Sequence, residues 1–278
     1  LERFSMNASS PLLQRIKLER HAVARDAAIA TVTLNRPAMR NAFDDIAIVE
    51  LTGAFRALSD DPQVRVIVLA AQGPAFCAGA DLGYMQRMAG YSDTENRADA
   101  MSLATMLNTI YSCSKPVIAR VQGDAYAGGM GLVAAADIAI AAEGVQFCLS
   151  EARLGLLPAT IAPYVIRAIG ERAARRYFVS AERFDAAEAL RLGLVHQIAP
   201  ADKLDATIDT IARAIAANGP RAVVECKQLV REIGGRAIDS ELLFDTAERI
   251  ARVRGSEEGK AGIASFLGKR SPPWAAGE

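Results

Sequence analysis

The chain has 278 residues, 51% of them hydrophobic and only 6% aromatic, which supplies an aliphatic core large enough for a stable fold. Lys plus Arg and Asp plus Glu each number 32, so the formal charge is zero, and without a sustained basic run a nucleic-acid partner is not expected. No stretch reaches the ~18 apolar residues of a membrane span, and the opening residues lack the positive-then-apolar order of a secretory signal. The reading is cytoplasmic, with no membrane partner.

Residues 1–14 read as a disordered or tag-derived N-terminus, the six residues ending at Met6 as a vector scar before a native start. Residues 15–200 alternate β-branched runs with amphipathic patterns, as an α/β core does. A strand is predicted over 28–34; "RPAMRNAF" breaks it, and Asp44 opens a helix through Leu51, Phe55 and Leu58. A buried strand over 64–71 runs into "QGPAFCAGADL", a glycine-rich turn that starts a new helix. After a helix around 101–111 the pattern repeats: a strand over 117–121, a second glycine-rich turn, "GDAYAGGMGLVAAADI", and a small-residue helix over 129–136. "DIAIAA" is a further strand, and "VQFCLSEARLG" a further extended segment. From Pro158 onward helices are predicted near 159–169, 171–180, 185–192, 201–217, 220–233 and 239–268, the last broken near Gly255, with one short strand at "LVHQI". Residues 201–278 thus form a helical C-terminal region.

Cys77, Cys113, Cys148 and Cys226 form no CxxC pair and sit among apolar neighbours, as reduced core thiols do. With His21 and His196 the only histidines, no metal site is expected, and His196 reads as a strand-edge residue.

A strand that ends in a glycine-rich turn and opens a helix leaves unpaired backbone N–H groups at the helix start, backed by the positive end of its dipole. Neither a P-loop nor a GxGxxG fingerprint is present to claim these turns for phosphate. Two such turns, each giving one N–H, instead suit an oxyanion, and the small residues Ala78, Gly79, Ala80, Gly128 and Gly129 let a ligand approach the main chain.

Five motifs carry a resemblance that covers roughly residues 15–270: "LNRP" with "RNAF", "FCAGADL", "GDAYAGGMGLVAAADIAIA", "FCLSEARLGLLP" and "SAERFDAAEALRLGLVHQI". In this order they resemble the crotonase superfamily of enoyl-CoA hydratases and isomerases. The resemblance implies an α/β fold: a crotonase-like spiral of ββα repeats over 15–200 holding the active site, and a helical C-terminal trimerisation region over 201–278. It further implies a homotrimer or a hexamer built as a dimer of trimers. Its oxyanion donors fall on Ala78 and Gly128. Coenzyme A, part of the acyl-CoA thioester substrate and not a separate cofactor, would meet Ala78, Gly79, Ala80, Asp81 and Gly128, with Arg40 or its backbone near the nucleotide. Phe266 and Lys269, in "SFLGKR", would reach a neighbouring subunit's coenzyme A.

Addition of water to an α,β-unsaturated thioester also needs an acid/base group. Glu151, in "LSEARLG", matches one of the two glutamates of the two-glutamate hydratases, and apolar residues on both sides are expected to desolvate it and raise its pKa. The other glutamate's position is Gly131, which cannot move a proton. Asp124 and Tyr126 are further candidates for orienting water. Finer motifs resemble the bacterial methylglutaconyl-CoA and isohexenylglutaconyl-CoA hydratases of leucine and acyclic-terpene degradation. A glutaconyl carboxylate would call for a cation, for which Arg87, Arg153 and Arg167 are equal candidates. A double-bond isomerase, which needs one base, and a non-catalytic CoA-thioester or RNA-binding protein are the alternatives.

Overall fold

In the computed structural model, which describes residues 13–24 and 26–275, the β-branched runs become neighbouring strands of one large sheet. Strands β1 (Ile16–Ala24) and β2 (Ala27–Leu34) form an antiparallel pair. Helix α1 (Asp45–Asp60) is capped by Asp44, which accepts from the Ala47 N–H, and it buries Leu51, Phe55 and Leu58 at helical spacing.

Three turns of a ββα path follow, each a long buried strand, a three-residue strand and a helical segment. The first is β3 (Val64–Ala71), β4 (Ala75–Cys77) and α2 (Leu82–Met88). Helix α3 (Asp93–Ser112) leads to the second, β5 (Val117–Val121), β6 (Asp124–Tyr126) and α4 (Gly128–Ala135). The third is β7 (Ile138–Ala142), β8 (Gln146–Cys148), a 3-10 turn (Glu151–Leu154) and α5 (Ala162–Ser180). Next come β9 (Arg183–Asp185), α6 (Ala186–Leu192), β10 (Gln197–Ala199) and α7 (Leu204–Ala216), which packs on β2, β3, β5 and β7. The chain ends in α8 (Pro220–Ile233), α9 (Ser240–Gly255) and α10 (Glu257–Leu267).

The long strands line up as β1-β2-β3-β5-β7-β10 and the short ones as β4-β6-β8-β9, so each turn of the path contributes one strand to each sheet. This is the expected spiral of ββα repeats. Within it β4, β6 and β8 run parallel. The core between the layers is aliphatic with few rings: Phe55, Phe76, Phe147, Leu51, Ile67 and Met106 are fully buried.

Several expectations are corrected. The extended segment after β7 is a strand only over Gln146–Cys148, because the chain then coils into the 3-10 turn at Glu151. Helix α5 joins the two helices predicted there through Gly170, whose φ of 75° marks the joint. Helix α3 begins eight residues before the predicted start, at Asp93, where Ser92 and Glu95 form a capping box. Cys77, Cys113 and Cys148 are buried, but Cys226 lies exposed on α8 and is no core thiol. The expected N-terminal segment lies, up to residue 12, outside the described residues. Helices α9 and α10 bury only Leu242 and Ser265, while Leu243, Phe244, Ile250, Ile263, Phe266 and Leu267 stay exposed.

Candidate active site

Because β4, β6 and β8 are parallel, their C-terminal ends open at one edge, and three segments leave there: residues 78–81, residues 127–128 and residues 149–151. The carboxyl ends of parallel strands are where ligand sites gather in α/β sheets. Cys77 pairs with Ala125 and Tyr126 with Cys148, and the Ala127 N–H donates to the Cys148 carbonyl at 2.8 Å. The first two turns touch. Gly79 sits at φ 93°, and a Cβ there would lie 3.0 Å from Ala127 Cβ and 3.8 Å from Gly128 N, so glycine is required by both backbone and space.

Gly128 is the first residue of α4, and its N–H has no acceptor among the described residues. It is aimed by Ala127, whose φ of 48° and ψ of −122° form a strained conformation for a residue with a side chain. Ala78 is different. Its N–H already donates to the Arg40 carbonyl at 3.0 Å, so it is not a free donor, and the expectation for Ala78 is corrected. The reason lies in the loop from Arg36 to Asp44. Phe43 donates to the Gly79 carbonyl and accepts from the Asp81 N–H, both at 2.9 Å. In this parallel bridge residues 79 and 81 face Phe43, and the N–H of Ala80 therefore points away from it. No acceptor for it exists among the described residues. Ala80 and Gly128 thus each bring an unpaired N–H group to this edge.

Two residues that the sequence reading passed over hold this loop. Asn41 Nδ2 donates to the Gln72 and Ala75 carbonyls at 2.7 and 2.8 Å, and the Arg36 N–H donates to its Oδ1. The Phe43 ring lies beside Gly128, where a Cβ would come within 2.5 Å of its Cζ. A nearly fully buried Asn in "RNAF" was the available signal, because such an amide must find partners.

Asp81 caps α2 by accepting from the Tyr84 N–H and pairs with Arg36 Nη2, both at 3.1 Å. Burial pushes its carboxyl up, but the Tyr84 bond and Arg36 outweigh this and hold it below its ordinary range. Its side chain thus serves the fold. Arg40 adopts a left-handed conformation with an exposed side chain. Phe266, 82% exposed, and Lys269 lie at and just beyond the end of α10, and no hydrogen bond or ion pair within the described residues ties them to the three turns.

Glu151 opens the 3-10 turn directly behind Phe147, Cys148 and Leu149, all buried. Its Oε2 is buried without a hydrogen-bond partner among the described residues. Burial pushes its pKa up, opposed only by its own backbone. The apolar wall is one-sided, since Leu154, Leu156 and Leu157 are exposed within this chain. A desolvated carboxyl with an unused oxygen is suited to exchanging protons with a bound substrate.

The remaining candidates are engaged elsewhere. Tyr126 Oη donates to Asp124, whose other oxygen accepts from the Gln146 N–H, so both support the β6–β8 pairing. Arg87 pairs with Asp45, Arg153 donates to the Ala181 carbonyl and Arg167 to the Pro163 carbonyl. His196 accepts the Ala139 N–H on Nδ1 and donates its own N–H to the Ala139 carbonyl, a strand-edge role. No three His, Cys, Asp or Glu side chains converge as a metal site among the described residues.

A two-layer spiral that brings free backbone donors and one desolvated carboxyl to a single strand edge is an arrangement suited to an α/β enzyme that stabilises an oxyanion. The model of the enoyl-CoA hydratase/isomerase family matches residues 24–277, and the chain belongs to that family. It is 30% identical to the 2,3-dehydroadipyl-CoA hydratase of Escherichia coli, over 90% of this chain and 96% of that protein. Among solved structures it resembles an enoyl-CoA hydratase of Shewanella pealeana, with a TM-score of 0.90 and 41% identity over 95% of this chain and 97% of the other. Pseudomonas aeruginosa AtuE gives a TM-score of 0.86 and 36% identity over 93% and 98% of the two chains.

Proposed function

We propose that the protein is an enoyl-CoA hydratase that adds water across the α,β double bond of an acyl-CoA thioester. The observation that carries the reading is Glu151, a half-buried side chain whose Oε2 is buried and unused at a strand edge flanked by two unpaired N–H groups. The thioester oxygen accepts from the Ala80 and Gly128 N–H groups, each contributing about 2.7–4 kcal/mol as negative charge develops. Ionised Glu151 takes a proton from water as its oxygen bonds to the β-carbon, and electrons move onto the thioester oxygen. The same carboxyl then returns that proton to the α-carbon, so one water is consumed and no oxidation state changes overall. No metal or separate cofactor is needed, and activity should survive EDTA.

Coenzyme A lies along residues 78–81, with Arg40 or its backbone near the nucleotide. Phe266 and Lys269 reach the coenzyme A of a neighbouring subunit in a trimer or hexamer. The exposed apolar side chains of α9 and α10 support such assembly. The substrate is branched and carboxylated, of the 3-methylglutaconyl-CoA type, as in leucine degradation. In support, a 30% identical relative is named for a dehydroadipyl thioester, which carries a free carboxylate. Isomerisation is favoured by one observation, that Gly131 offers no second acid/base group.

Glu151→Gln should abolish water addition while leaving thioester binding within a few-fold; near-normal turnover overturns the assignment. Loss of conjugated thioester absorbance with methylglutaconyl-CoA and crotonyl-CoA reads the substrate, and a strong preference for crotonyl-CoA removes the carboxylated assignment. A β,γ-unsaturated thioester reads isomerisation.

A further inference from the structure

We infer that Ile161 is a specificity-determining residue of this site: it fills the space beside α4 that a polar side chain at position 131 would occupy, and so confines acid/base work to Glu151. The inference rests on the role proposed for Glu151. Gly128 and Gly131 lie one turn apart on the same face of α4, with the Gly128 N–H at the open strand edge. A Cβ on Gly131 would overlap Ile161 Cγ2 outright, lie 2.8 Å from Ile161 Cβ and lie 3.6 Å from Leu107 Cδ2.

That obstruction cannot easily yield. Ile161 is 1% exposed and Leu107 fully buried, and a β-branched side chain has little rotamer freedom. The Ile161 backbone is fixed as well, since its carbonyl accepts the Tyr164 and Val165 N–H groups, both at 3.1 Å, at the head of α5. Helix α5 packs on both α4 and the 3-10 turn that carries Glu151. A bare backbone at 131 and a branched hydrocarbon at 161 are therefore two halves of one packing choice, hydrocarbon in place of polar atoms. A carboxylate introduced at 131 would be desolvated and would press on α5, the helix that also packs on the turn carrying Glu151.

A double-mutant cycle tests this with Gly131→Glu, Ile161→Gly and the pair, read by thermal midpoint and by the pH profile of crotonyl-CoA hydration. Gly131→Glu alone should lower the midpoint and cut kcat at least tenfold. The pair should melt above Gly131→Glu alone and show a second ionisation in its profile that Ile161→Gly alone does not. The inference is overturned if Gly131→Glu alone melts with the parent and already shows the second ionisation, or if the pair melts no higher than Gly131→Glu. Should the glutamate variants not fold, Gly131→Ala with Ile161→Ala gives the same cycle: a midpoint restored by the second substitution supports the inference, and additive losses overturn it. The midpoint cycle does not depend on turnover, so failure here is distinct from failure of Glu151→Gln.

Discussion

Glutamine at position 151 keeps the shape of Glu151 and removes its charge, which separates what the carboxyl does for chemistry from what it costs the fold. Oε2 is buried without a partner among the described residues, and burial pushes the pKa up. An unsatisfied buried polar group costs about 1–3 kcal/mol and more when it is charged; glutamine keeps the unpartnered atom, so the variant removes only the share due to the charge, which for a half-buried side chain is taken as about 1 kcal/mol. In a chain of this size that moves Tm by about 2 °C. The sign follows from linkage. In the unfolded chain the carboxyl ionises near ~4.3, and in the folded chain at a higher pH. Below the unfolded value both states are protonated and there is no penalty; as pH rises through the folded value the penalty develops fully and then stays constant. Glu151→Gln should therefore melt about 2 °C above the parent at pH 8, with the gap closing toward pH 4. Its kcat should fall by about 10²–10⁴-fold. Calorimetry across pH, paired with crotonyl-CoA turnover, measures both. A variant that melts below the parent at pH 8 would mean that the carboxylate is held by favourable partners, and a gap that ignores pH would mean that burial does not oppose its ionisation; either result removes the desolvated base.

Three further outcomes are expected. Gly129→Ala would place a Cβ against the Cys77 carbonyl and 2.8 Å from Cys77 Cβ, pushing the start of α4 off β4; kcat should drop by about 10²-fold, and a variant with parental kcat would show that the Gly128 N–H needs no such positioning. Asp81→Asn keeps a cap for α2 but removes the Arg36 ion pair. Denaturant titration should show a loss of about 1–3 kcal/mol at pH 7. Because the Asp81 carboxyl is held below its ordinary range, this contribution is present above ~3.9 and disappears as pH falls through the lowered value, so the two proteins converge in acid. Arg87 stands on the helix leaving the 78–81 turn, and its pair with Asp45 is exposed and exchangeable. Arg87→Met should raise KM for methylglutaconyl-CoA at least fivefold more than for crotonyl-CoA, and equal effects on both would remove Arg87 from carboxylate recognition.

The long strands were legible because their side chains are buried on both faces and read as unbroken β-branched runs; Val64–Ala71 and Val117–Val121 fall where expected. Strands β4, β6 and β8 were not, since three residues carry no period, and they hide inside the turns they help to build. Strand β1, with a mixed burial pattern, gave no clear alternation either. At the site, composition identified both turns, and the burial of Glu151 followed from its upstream neighbours. Which N–H is unpaired could not be read, because it depends on a contact between segments distant in sequence: Arg40 takes the Ala78 N–H, and Phe43 turns the Ala80 N–H away from itself. The exposure of Leu154 to Leu157 was equally hidden, because an apolar run states that burial is wanted and not which surface supplies it.

The strain at Ala127 shows why this edge is built from two turns. Gly128 and Gly129 follow immediately, yet the strained positive-φ conformation falls on the alanine, at a cost of order 1–3 kcal/mol. Each glycine is needed elsewhere: Gly128 lies beside Phe43 and Gly129 lies against Cys77, and a methyl at either would collide. The alanine methyl, in turn, lies 3.0 Å from where a Cβ on Gly79 would sit, so it fills the space that the bare Gly79 leaves. With its N–H tied to Cys148 and its carbonyl accepting from Met130, the Ala127 peptide is held on both sides by neighbouring parts of the spiral. A residue without that methyl would relieve the strain and free the peptide to rotate, and the Gly128 N–H would rotate with it. The donor is rigid because the packing of β4 against β6 over-determines a backbone shape that the local sequence alone disfavours.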